Sequence, residues 1–451
     1  MPSAPPLLPI AGDHPGSLAA ELTTLNGREV VLVEVTSDER RGAISEADGH
    51  TFAAAAHHAL QAGIPLLGLI SSSGADVHDG VAALHGWGMA AAALQRCSGR
   101  VPVLLAATGP VLSGPALLLG LADHVVMTED AHAFVSGPRM VETFTGETID
   151  AAELGGAAVH AATTGVASLV VADRDAALQA LGDLVAYLPA NIDCEPPRWW
   201  TDDPVDRLTP EAGACIPSAA SGGYDVRDVA VAIVDDADLL ELRARWAPNL
   251  VTALATIGGR PVGVIANQPI SIAGTLDIPA SQKGARFVSF CDAFGIPLLT
   301  LIDTPGFYPG KDLEWRGMIR HGAQLAFAYA RATVPRVAVV LRKAYGGAYI
   351  VMDCRAMGSD LYLAWPSAEI AVMGAKGAVE VLHRRIEPDQ RGALEAEYEE
   401  RFLNPYVAAD RGYVDGVINP ADTRRKVAAA FEMLTTKQER LVGRRHDNSP
   451  L

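Results

Sequence analysis

Cysteine is scarce in this chain, and its spacing indicates neither a cross-linked framework nor a metal site. The chain has five cysteines, and they lie at Cys97, Cys194, Cys215, Cys291 and Cys354. No two of them form a Cys-x-x-Cys pair, so neither a disulfide framework nor a zinc ribbon is predicted, and no metal is expected. A reduced, cytoplasmic setting is the simplest interpretation.

Basic residues and long apolar runs are also in short supply. The chain has 36 Lys and Arg against 53 Asp and Glu, which gives a net charge of −17. This balance argues against a general surface for nucleic acid or anionic membrane. The apolar run over residues 117–126 is interrupted by Gly120, Asp123 and His124, so no membrane span is predicted. Residues 1–6 lack a charged start followed by an apolar core, so no signal peptide is expected.

The chain does contain an internal repeat. The pentapeptide Gly-Ile-Pro-Leu-Leu at residues 63–67 recurs at residues 295–299, an offset of 232 residues. Two further landmarks follow in the same order at an offset of 233, Val-Pro at 101–102 and 334–335, and a glycine at Gly114 and Gly347. Landmarks in order at a nearly constant offset predict two versions of one α/β domain.

The domain organisation follows from the length and from this repeat. A chain of 451 residues with 49% hydrophobic content can form two full cores. A segment rich in Pro, Asp and Ser, residues 198–223, joins the two copies. We therefore predict one domain over residues 1–205 and a second over residues 206–451.

The stretch around residues 296–349 has the pattern of a βαβ unit. Two apolar strands are predicted over residues 296–303 and 337–341, with a helical segment over residues 321–332 between them. The second strand leads to Gly346, Gly347 and a further helical segment, so main-chain N–H groups could point at a ligand there. The alternative is that these glycines only turn the chain.

Each copy would supply the same arrangement of two loops. One strand ends in a glycine loop, at residues 73–75 or 305–307, and the next strand ends in a glycine before a helix, Gly114 or Gly347. One N–H from each loop would converge on a carbonyl oxygen. Such preorganised donors stabilise negative charge that develops during a reaction.

Several longer motifs carry a family resemblance. They are Lys-Ala-Tyr-Gly-Gly-Ala-Tyr at residues 343–349, the segments 364–374 and 404–415, and, less distinctively, residues 263–269 and the tail 445–451. They closely resemble the carboxyltransferase β-chains of biotin-dependent acyl-CoA carboxylases of the propionyl-CoA carboxylase type. The resemblance runs almost continuously from Asp202 to the C-terminus, and it is weaker in the first half.

The resemblance implies a fold and an assembly. The fold would be two tandem crotonase-like (ClpP/crotonase) domains that arose by duplication. The first would take an acyl-CoA thioester and the second carboxybiotin. In this family the active site lies where the first domain of one subunit meets the second domain of another. A dimer-based homo-oligomer is therefore expected, with a hexamer as one form.

The resemblance also implies roles for individual residues. On the carboxybiotin side, Gly347 and Ala348 would hold the ureido carbonyl, and the biotin-binding residues would be Gly306, Phe307, Gly346 and Tyr345. On the acyl side, Ala75 and Gly114 would hold the thioester oxygen, and the other substrate-binding residues would be Gly74, Ser113, Gly137 and Ile350. No metal is implied.

Biotin would have to arrive on another chain. The nearest approach to a biotinyl-lysine motif is Val-Met-Gly-Ala-Lys at residues 372–376, in which Gly-Ala separates Met373 from Lys376. No phosphate-binding Gly-x-x-x-x-Gly-Lys-Ser/Thr is present either. A separate biotin carboxylase and a biotin carrier are therefore the expected partners, and neither nucleic acid nor membrane is expected.

Three positions depart from the family pattern or vary within it. Asp76 stands where the family has an arginine. Pro115, which has no N–H, either removes a donor or is simply the first residue of a helix. Ile350 occupies a position that the family associates with the choice of acyl group, and ordinary core packing is the alternative interpretation.

The leading hypothesis is a carboxyltransferase subunit that carboxylates the α-carbon of an acyl-CoA, with an acetyl, propionyl or larger apolar acyl group. A second hypothesis, motivated by Asp76 and Pro115, is a non-catalytic or regulatory partner of an active homologous subunit. A third keeps the biotin half but uses an unusual acceptor or runs a decarboxylation.

Overall fold

The apolar runs of the sequence become the strands of two sheets. The structure is a computed structural model, and it describes residues 8–9, 16–36, 39–217, 219, 222–384, 387–439, 441, 443 and 446–450. The chain divides into two units, residues 1–197 and 198–451. This division lies on the N-terminal side of the predicted boundary after residue 205.

The first unit contains one mixed sheet and the helices that cover it. Its strands are β1 Leu8–Pro9, β2 Leu18–Leu25, β3 Arg28–Val35, β4 Leu66–Ser72, β5 Val103–Leu112, β6 His124–Thr128, β7 His132–Phe134 and β8 Leu169–Val171. Its α-helices are α1 Glu46–Ala62, α2 Val81–Cys97, α3 Leu117–Leu121, α4 Pro138–Thr145, α5 Ala151–Gly155, α6 Ala157–Val159 and α7 Arg174–Tyr187. Short 3₁₀ turns lie at Glu39–Arg41 and Gly114–Ala116, and a π turn lies at His160–Thr164.

The second unit is built in the same way. Its strands are β9 Leu240–Glu241, β10 Leu250–Ile257, β11 Arg260–Asn267, β12 Leu298–Thr304, β13 Arg336–Tyr345, β14 Leu361–Ala364, β15 Glu369–Ala371 and β16 Gly416–Val417. Its α-helices are α8 Pro210–Ala214, α9 Val226–Ile233, α10 Ile278–Ala293, α11 Lys311–Trp315, α12 Met318–Arg331, α13 Gly346–Val351, α14 Ala375–Leu382, α15 Pro388–Phe402, α16 Pro405–Asp410 and α17 Thr423–Met433. Its 3₁₀ turns are Asp235–Ala237, Ile272–Gly274, Arg355–Met357, Pro420–Asp422 and Leu434–Thr436.

The two sheets have the same strand order. The first runs β1-β2-β3-β4-β5-β6-β8, with β7 paired to β5. The second runs β9-β10-β11-β12-β13-β14-β16, with β15 paired to β13. In each sheet the first pairings are antiparallel, and those from β3 or β11 onward are parallel. The predicted α/β fold with an internal duplication is therefore confirmed.

Burial explains why these segments are strands and not helices. Every residue of β4, β6, β10 and β12 is buried, except Ser71 of β4, which is half-buried. Helices cover both faces of a parallel sheet, so its central strands are apolar along their whole length and do not alternate. The predicted strands over residues 296–303 and 337–341 and the predicted helix over residues 321–332 correspond to β12, β13 and α12.

Helix α1 begins at a capping box and is anchored to the sheet by the same residues. The Ser45 hydroxyl accepts a hydrogen bond from the Asp48 amide at 3.2 Å, and the Asp48 carboxylate accepts one from the Ser45 amide at 2.8 Å. The second carboxylate oxygen of Asp48 accepts a hydrogen bond from the Leu18 amide of β2 at 2.9 Å. Gly63, in the left-handed region with φ 65°, ends the helix.

Two features noted in the sequence, the N-terminal residues 1–6 and the tail motif 445–451, include residues that the structure does not describe. Residues 1–6, on which the expectation of no signal peptide rests, lie outside the described residues, as do Arg445 and Leu451 of the tail motif. Among the helices of the described residues, none combines the length and apolar character that crossing a membrane requires.

The close packing of α1 on α2 generates a test of the fold. A Cβ added at Gly86 of α2 would lie 2.6 Å from the Ser45 carbonyl oxygen, whereas a Cβ at Gly88 of the same helix would meet no atom within 4 Å. We expect Gly86→Ala to lower the free energy of unfolding by about 1–3 kcal/mol, because the helices must move apart. Gly88→Ala should raise it by up to about 1 kcal/mol, since alanine favours the helix. Chemical denaturation of both variants measures the difference, and equal effects would contradict the packing.

Candidate active site

In the second unit, β12 ends in a loop whose main chain leaves one N–H unused by the sheet. Gly306 has a φ of 142°, in a region that favours glycine. Two hydrogen bonds form a short bridge between this loop and Leu276. The Leu276 amide donates to the Gly306 carbonyl at 3.1 Å, and the Tyr308 amide donates to the Leu276 carbonyl at 2.9 Å. In extended chain, successive N–H groups point to opposite sides. The N–H of the intervening Phe307 therefore points away from this bridge.

The first unit repeats this loop after β4. Gly74 has a φ of 112°. The Ile44 amide donates to the Gly74 carbonyl at 2.8 Å, and the Asp76 amide donates to the Ile44 carbonyl at 2.8 Å. The N–H of Ala75 therefore points away from the bridge, as that of Phe307 does. Ala75 and Phe307 are equivalent positions, separated by the 232-residue offset of the repeat.

The second donor loop follows the neighbouring strand. In the second unit, β13 leads directly into α13, and Gly346 has a φ of 59°. Gly347 and Ala348 lie in the first turn of this helix, where N–H groups have no acceptor within the helix. A Cβ at Gly347 would lie 3.3 Å from the Phe307 ring, so the two loops are in contact.

In the first unit, β5 leads to the 3₁₀ turn over Gly114–Ala116. Gly114 is the first residue of this turn, so its N–H has no acceptor within the turn. A Cβ at Gly74 would lie 3.2 Å from the Cβ of Ser113, so these two loops also touch. Each unit thus brings a pair of donor loops together, Ala75 with Gly114 and Phe307 with Gly347 and Ala348.

A register shift between two neighbouring strands positions the pair of donor loops in each unit. Between β12 and β13 the register shifts, because Ile302 pairs with Val340 whereas Thr304 pairs with Ala344. The same shift occurs between β4 and β5, after Ile70. The extra residues on the longer strand form a bulge, which bends the strand and re-aims the loop that follows it.

Pro115 occupies the position equivalent to Ala348. It is the second residue of its 3₁₀ turn, and the first is Gly114. Proline has no N–H, but it is tolerated at the start of a helix, where that N–H would have no partner within the helix. The donors that the first unit offers are therefore those of Ala75 and Gly114.

Asp76 does not present a free negative charge. Its side chain is buried and forms an ion pair with Arg40, and its other carboxylate oxygen accepts a hydrogen bond from the His78 amide at 2.9 Å. Burial acts to raise the pKa of Asp76, but the His78 amide and the Arg40 guanidinium outweigh it and hold the pKa below its usual value. The charge of Asp76 is thus balanced by Arg40 within the first unit.

An apolar cavity of about 520 Å³ adjoins the second-unit loops. Ile350, which is 40% exposed, lines it. The full lining is Gly346, Gly347, Tyr349, Ile350, Ile370, Ala371, Val372, Tyr398, Phe402, Val407, Ala408, Arg411 and Tyr413. Burial raises the pKa of Tyr349 to about 12, so this residue stays neutral at physiological pH.

Two predicted site residues have structural contacts that the sequence did not reveal. The Tyr345 hydroxyl donates a hydrogen bond to the Glu369 carboxylate on β15. Burial, and then this carboxylate, raise the pKa of Tyr345. Gly137 caps α4, and a Cβ there would lie 3.2 Å from the Phe134 ring of β7. Both residues therefore lie beside the strands that flank the donor loops, β15 in the second unit and β7 in the first.

Sequence reasoning missed the aromatic wall of the cavity and a buried charge cluster. Tyr398 and Phe402 belong to α15, outside the recognised motifs, and Tyr413 lies in the motif 404–415, whose position beside the glycine loops the sequence did not predict. Asp303 and Arg342 lie within the predicted βαβ stretch of residues 296–349, but their pairing depends on the bulge. Within the described part of the chain, no group of three or more His, Cys, Asp or Glu side chains is arranged to hold a metal ion.

Known proteins resemble this chain over nearly its whole length. Residues 14–449 match the carboxyl transferase domain family. The chain is 43% identical over 432 residues to the propionyl-CoA carboxylase beta chain of Roseobacter denitrificans, covering 95% of this chain and 84% of that relative. It is 44% identical over 433 residues to the methylmalonyl-CoA carboxyltransferase 12S subunit of Propionibacterium freudenreichii subsp. shermanii, covering 95% and 82%.

A solved structure agrees with the sequence relatives. The crystal structure of transcarboxylase 12S, described as a hexamer with methylmalonyl-coenzyme A and methylmalonic acid bound, superposes with a TM-score of 0.94 at 43% identity. The match covers 96% of this chain and 85% of that one. Together with the two matching sheets, it confirms the predicted pair of crotonase-like domains.

Backbone strain at Ser113 provides a test of the first donor loop. Ser113 has φ 62° and ψ −146°, a conformation that glycine adopts readily, and Gly346 stands at the equivalent position. We expect Ser113→Gly to raise the free energy of unfolding by about 1 kcal/mol, because such strain costs about 1–3 kcal/mol and glycine returns part of the gain to the unfolded chain.

The matched control is Ser98→Gly, at an exposed serine with an ordinary φ of −52°. Here only the entropy of the unfolded chain changes, so stability should fall by about 0.4–1 kcal/mol. Thermal unfolding of both variants gives the signs. A loss of stability in both variants would show that Ser113 is not strained.

Proposed function

We propose that this chain, which belongs to the carboxyl transferase family and is a carboxyltransferase of the propionyl-CoA carboxylase beta-chain type, acts on an acyl-CoA. The reaction would be carboxylation of the α-carbon of the acyl group. The CO2 would come from carboxybiotin on a separate carrier protein. One observation carries the proposal, namely that each unit holds a pair of contacting loops whose main-chain N–H groups are not used by the sheet.

The second unit fits a ureido carbonyl. Phe307, Gly347 and Ala348 offer N–H groups, and the adjoining cavity is apolar, which suits the hydrocarbon part of a biotin ring system. Carboxybiotin supplies CO2 when it is bound. The role of this chain is to hold the carbonyl oxygen with donors that are already in place, which stabilises the negative charge that develops there. Gly306, Gly346 and Tyr345 fix the conformation of the two loops.

The first unit fits a thioester oxygen. Loss of a proton from the α-carbon of an acyl thioester places negative charge on the carbonyl oxygen, and the N–H groups of Ala75 and Gly114 can stabilise it. Gly74 and Ser113 shape the loops that present these donors. Because Asp76 is buried and paired with Arg40, it adds no free negative charge to this path.

Ile350 would influence the choice of acyl group. Its side chain lines the apolar cavity next to Gly347, where the acyl group held by the first unit of another copy would meet the bound biotin, and an aliphatic wall there favours an apolar acyl chain over a polar one. This position supports acetyl, propionyl or larger apolar acyl groups as substrates.

The partners would be a biotin carboxylase, a biotin carrier and further copies of this chain. Each unit exposes large apolar side chains. In the first unit these include Met140 and Phe144 on α4. In the second they include Trp315 on α11 and Ile319 on α12, which follow the Phe307 loop in the sequence. Exposed apolar surface of this kind favours association. A homo-oligomer in which first units meet second units of other copies would cover it, and the related 12S structure is described as a hexamer.

The function is tested by reconstitution. Purified chain, a biotin carboxylase, its biotinylated carrier, ATP and labelled bicarbonate are incubated with a panel of acyl-CoA thioesters, and label in the acyl-CoA product is measured. We expect carboxylation of at least one short acyl-CoA. In the same assay Ala348→Pro should lower kcat by about 10²–10³-fold, because it removes one N–H donor. The first unit already holds proline at the equivalent position, so the backbone can accept it.

Pro115→Ala is the matched control, since it adds an N–H at the equivalent position of the first unit. We expect no loss of kcat, because Gly114 provides the donor in that loop. Full activity of Ala348→Pro would show that its N–H holds no reacting oxygen. A wild-type chain that carboxylates no acyl-CoA in a broad panel would refute the function itself.

Acyl preference tests the role of Ile350. Replacement by aspartate places a charge in an apolar cavity, so longer acyl chains lose their favourable contact. We expect Ile350→Asp to lower kcat/KM for butyryl-CoA relative to acetyl-CoA by about tenfold or more. The control Ile350→Leu keeps the apolar wall and should retain the wild-type preference. Identical preferences in all three proteins would favour plain core packing for this residue.

A further inference from the structure

A buried charge cluster links the strands that lead to the second pair of donor loops. Asp303 is the last but one residue of β12, and Arg342 lies on β13. One oxygen of the Asp303 carboxylate accepts hydrogen bonds from Arg342 Nε at 3.0 Å and from the Tyr224 hydroxyl at 2.9 Å. The other accepts one from the Lys343 amide at 3.1 Å.

The cluster lies at the bulge described above. At the bulge, β13 has extra residues between Val340 and Ala344, so their amides lose their regular partners in the ladder. The Asp303 carboxylate accepts a hydrogen bond from the Lys343 amide, which would otherwise have no partner in the ladder. Asp303 is separated only by Thr304 from the loop that contains Gly306 and Phe307, and Lys343 lies on β13 shortly before Gly347. The carboxylate therefore joins the two loops near their origins.

Further contacts hold the cluster in one arrangement. Arg342 donates to the Gly222 carbonyl at 2.8 Å, and its guanidinium lies 5.2 Å from the centre of the Tyr224 ring. Burial, and then the Asp303 carboxylate, raise the pKa of Tyr224, so the hydroxyl stays neutral and donates. The Asp303 amide donates to the Asn267 side chain at 3.2 Å. Asp303 is thus fixed through both its main chain and its side chain.

The first unit closes the same bulge without charge. The repeat places Ser71, Gly109 and Pro110 at the positions of Asp303, Arg342 and Lys343. Pro110 has no N–H that needs an acceptor. Gly109 has no side chain, and a Cβ there would lie 2.5 Å from the Ser71 hydroxyl oxygen. The charged cluster is therefore specific to the second unit.

We propose that Asp303 is a positioning residue for the oxygen-binding donors of the second unit, and that it has no counterpart in the first. It acts by setting the distance between the N–H of Phe307 and those of Gly347 and Ala348. The identity of the oxygen as that of carboxybiotin rests on the proposed function, whereas the effect on the loops does not.

The test variant is Asp303→Asn, which keeps the shape of the side chain but removes its charge. Hydrogen exchange measured by mass spectrometry should become faster in peptides covering residues 304–309 and 343–352. The equivalent first-unit peptides, residues 72–77 and 110–118, should be unchanged. Tyr224→Phe removes one donor and leaves the ion pair, so it should give the same pattern at smaller amplitude. This milder variant keeps the test decisive if Asp303→Asn does not fold.

Asp235→Asn is the matched control. Asp235 is also buried in the second unit, where its carboxylate accepts hydrogen bonds from Arg424 at 2.6 Å and from the Gly258 and Gly259 amides at 2.9 and 2.8 Å. Its replacement therefore removes the same chemistry away from the donor loops. We expect a comparable fall in Tm but no faster exchange in either donor loop. Equal exchange of the second-unit loops in both variants would overturn the proposal.

Kinetics add a second measurement. In the carboxylation assay, Asp303→Asn should lower kcat by about 100-fold, because small misplacements of catalytic groups cost rates of that order. The KM for acyl-CoA should be unchanged, since the first-unit loops are untouched, whereas Asp235→Asn should lower neither the rate nor the affinity per folded molecule. A rise in that KM with kcat unchanged would contradict the assignment. An inactive wild-type chain would refute the proposed function, while the exchange comparison would still decide the role of Asp303.

Discussion

Main-chain N–H groups can bind a ligand oxygen only where the sheet does not use them. Both units meet this constraint in the same way, by a register shift between two parallel strands just before the strands end. The shift bends the longer strand and leaves the following residues outside the ladder. The glycines at Gly74, Gly306 and Gly346 then permit the positive φ that turns each loop. The rest of each domain serves to hold these two strand ends side by side.

A site built from main-chain donors tolerates changes of side chain, so the first unit can differ from the second in its side chains and keep the same strand order and loops. A change of side chain leaves the N–H in place as long as the backbone keeps its path. Asp76 illustrates this, since its charge is taken up by Arg40 and by the His78 amide without altering the bridge between Ile44 and Ala75. Proline is the exception among the twenty residues because it has no N–H, and Pro115 lies one position beyond Gly114, the donor proposed for that loop.

The sequence was informative wherever local pattern decides structure. Continuous apolar runs predicted β12 and β13, and the repeat predicted the second copy of the domain. It could not predict the partner of Asp76, because Arg40 lies 36 residues away and the contact exists only once β4 and the turn over Glu39–Arg41 meet. The aromatic wall of the cavity was missed for the same reason. Asp303 ends a predicted strand, yet its contacts with Arg342 and Lys343 depend on a register shift that no residue pattern reveals.

The two units show two physical means of fixing one bulge. In the first, Pro110 removes the orphan N–H and restricts the chain before folding, which lowers the entropy lost on ordering the bulge. In the second, the orphan N–H of Lys343 is kept and satisfied by a carboxylate, and the buried charge is balanced by Arg342. A buried ion pair adds little net stability compared with apolar packing. Its distinctive contribution is direction, because hydrogen bonds to Arg342, Tyr224 and Lys343 fix the carboxylate in one orientation, and with it the ends of both strands.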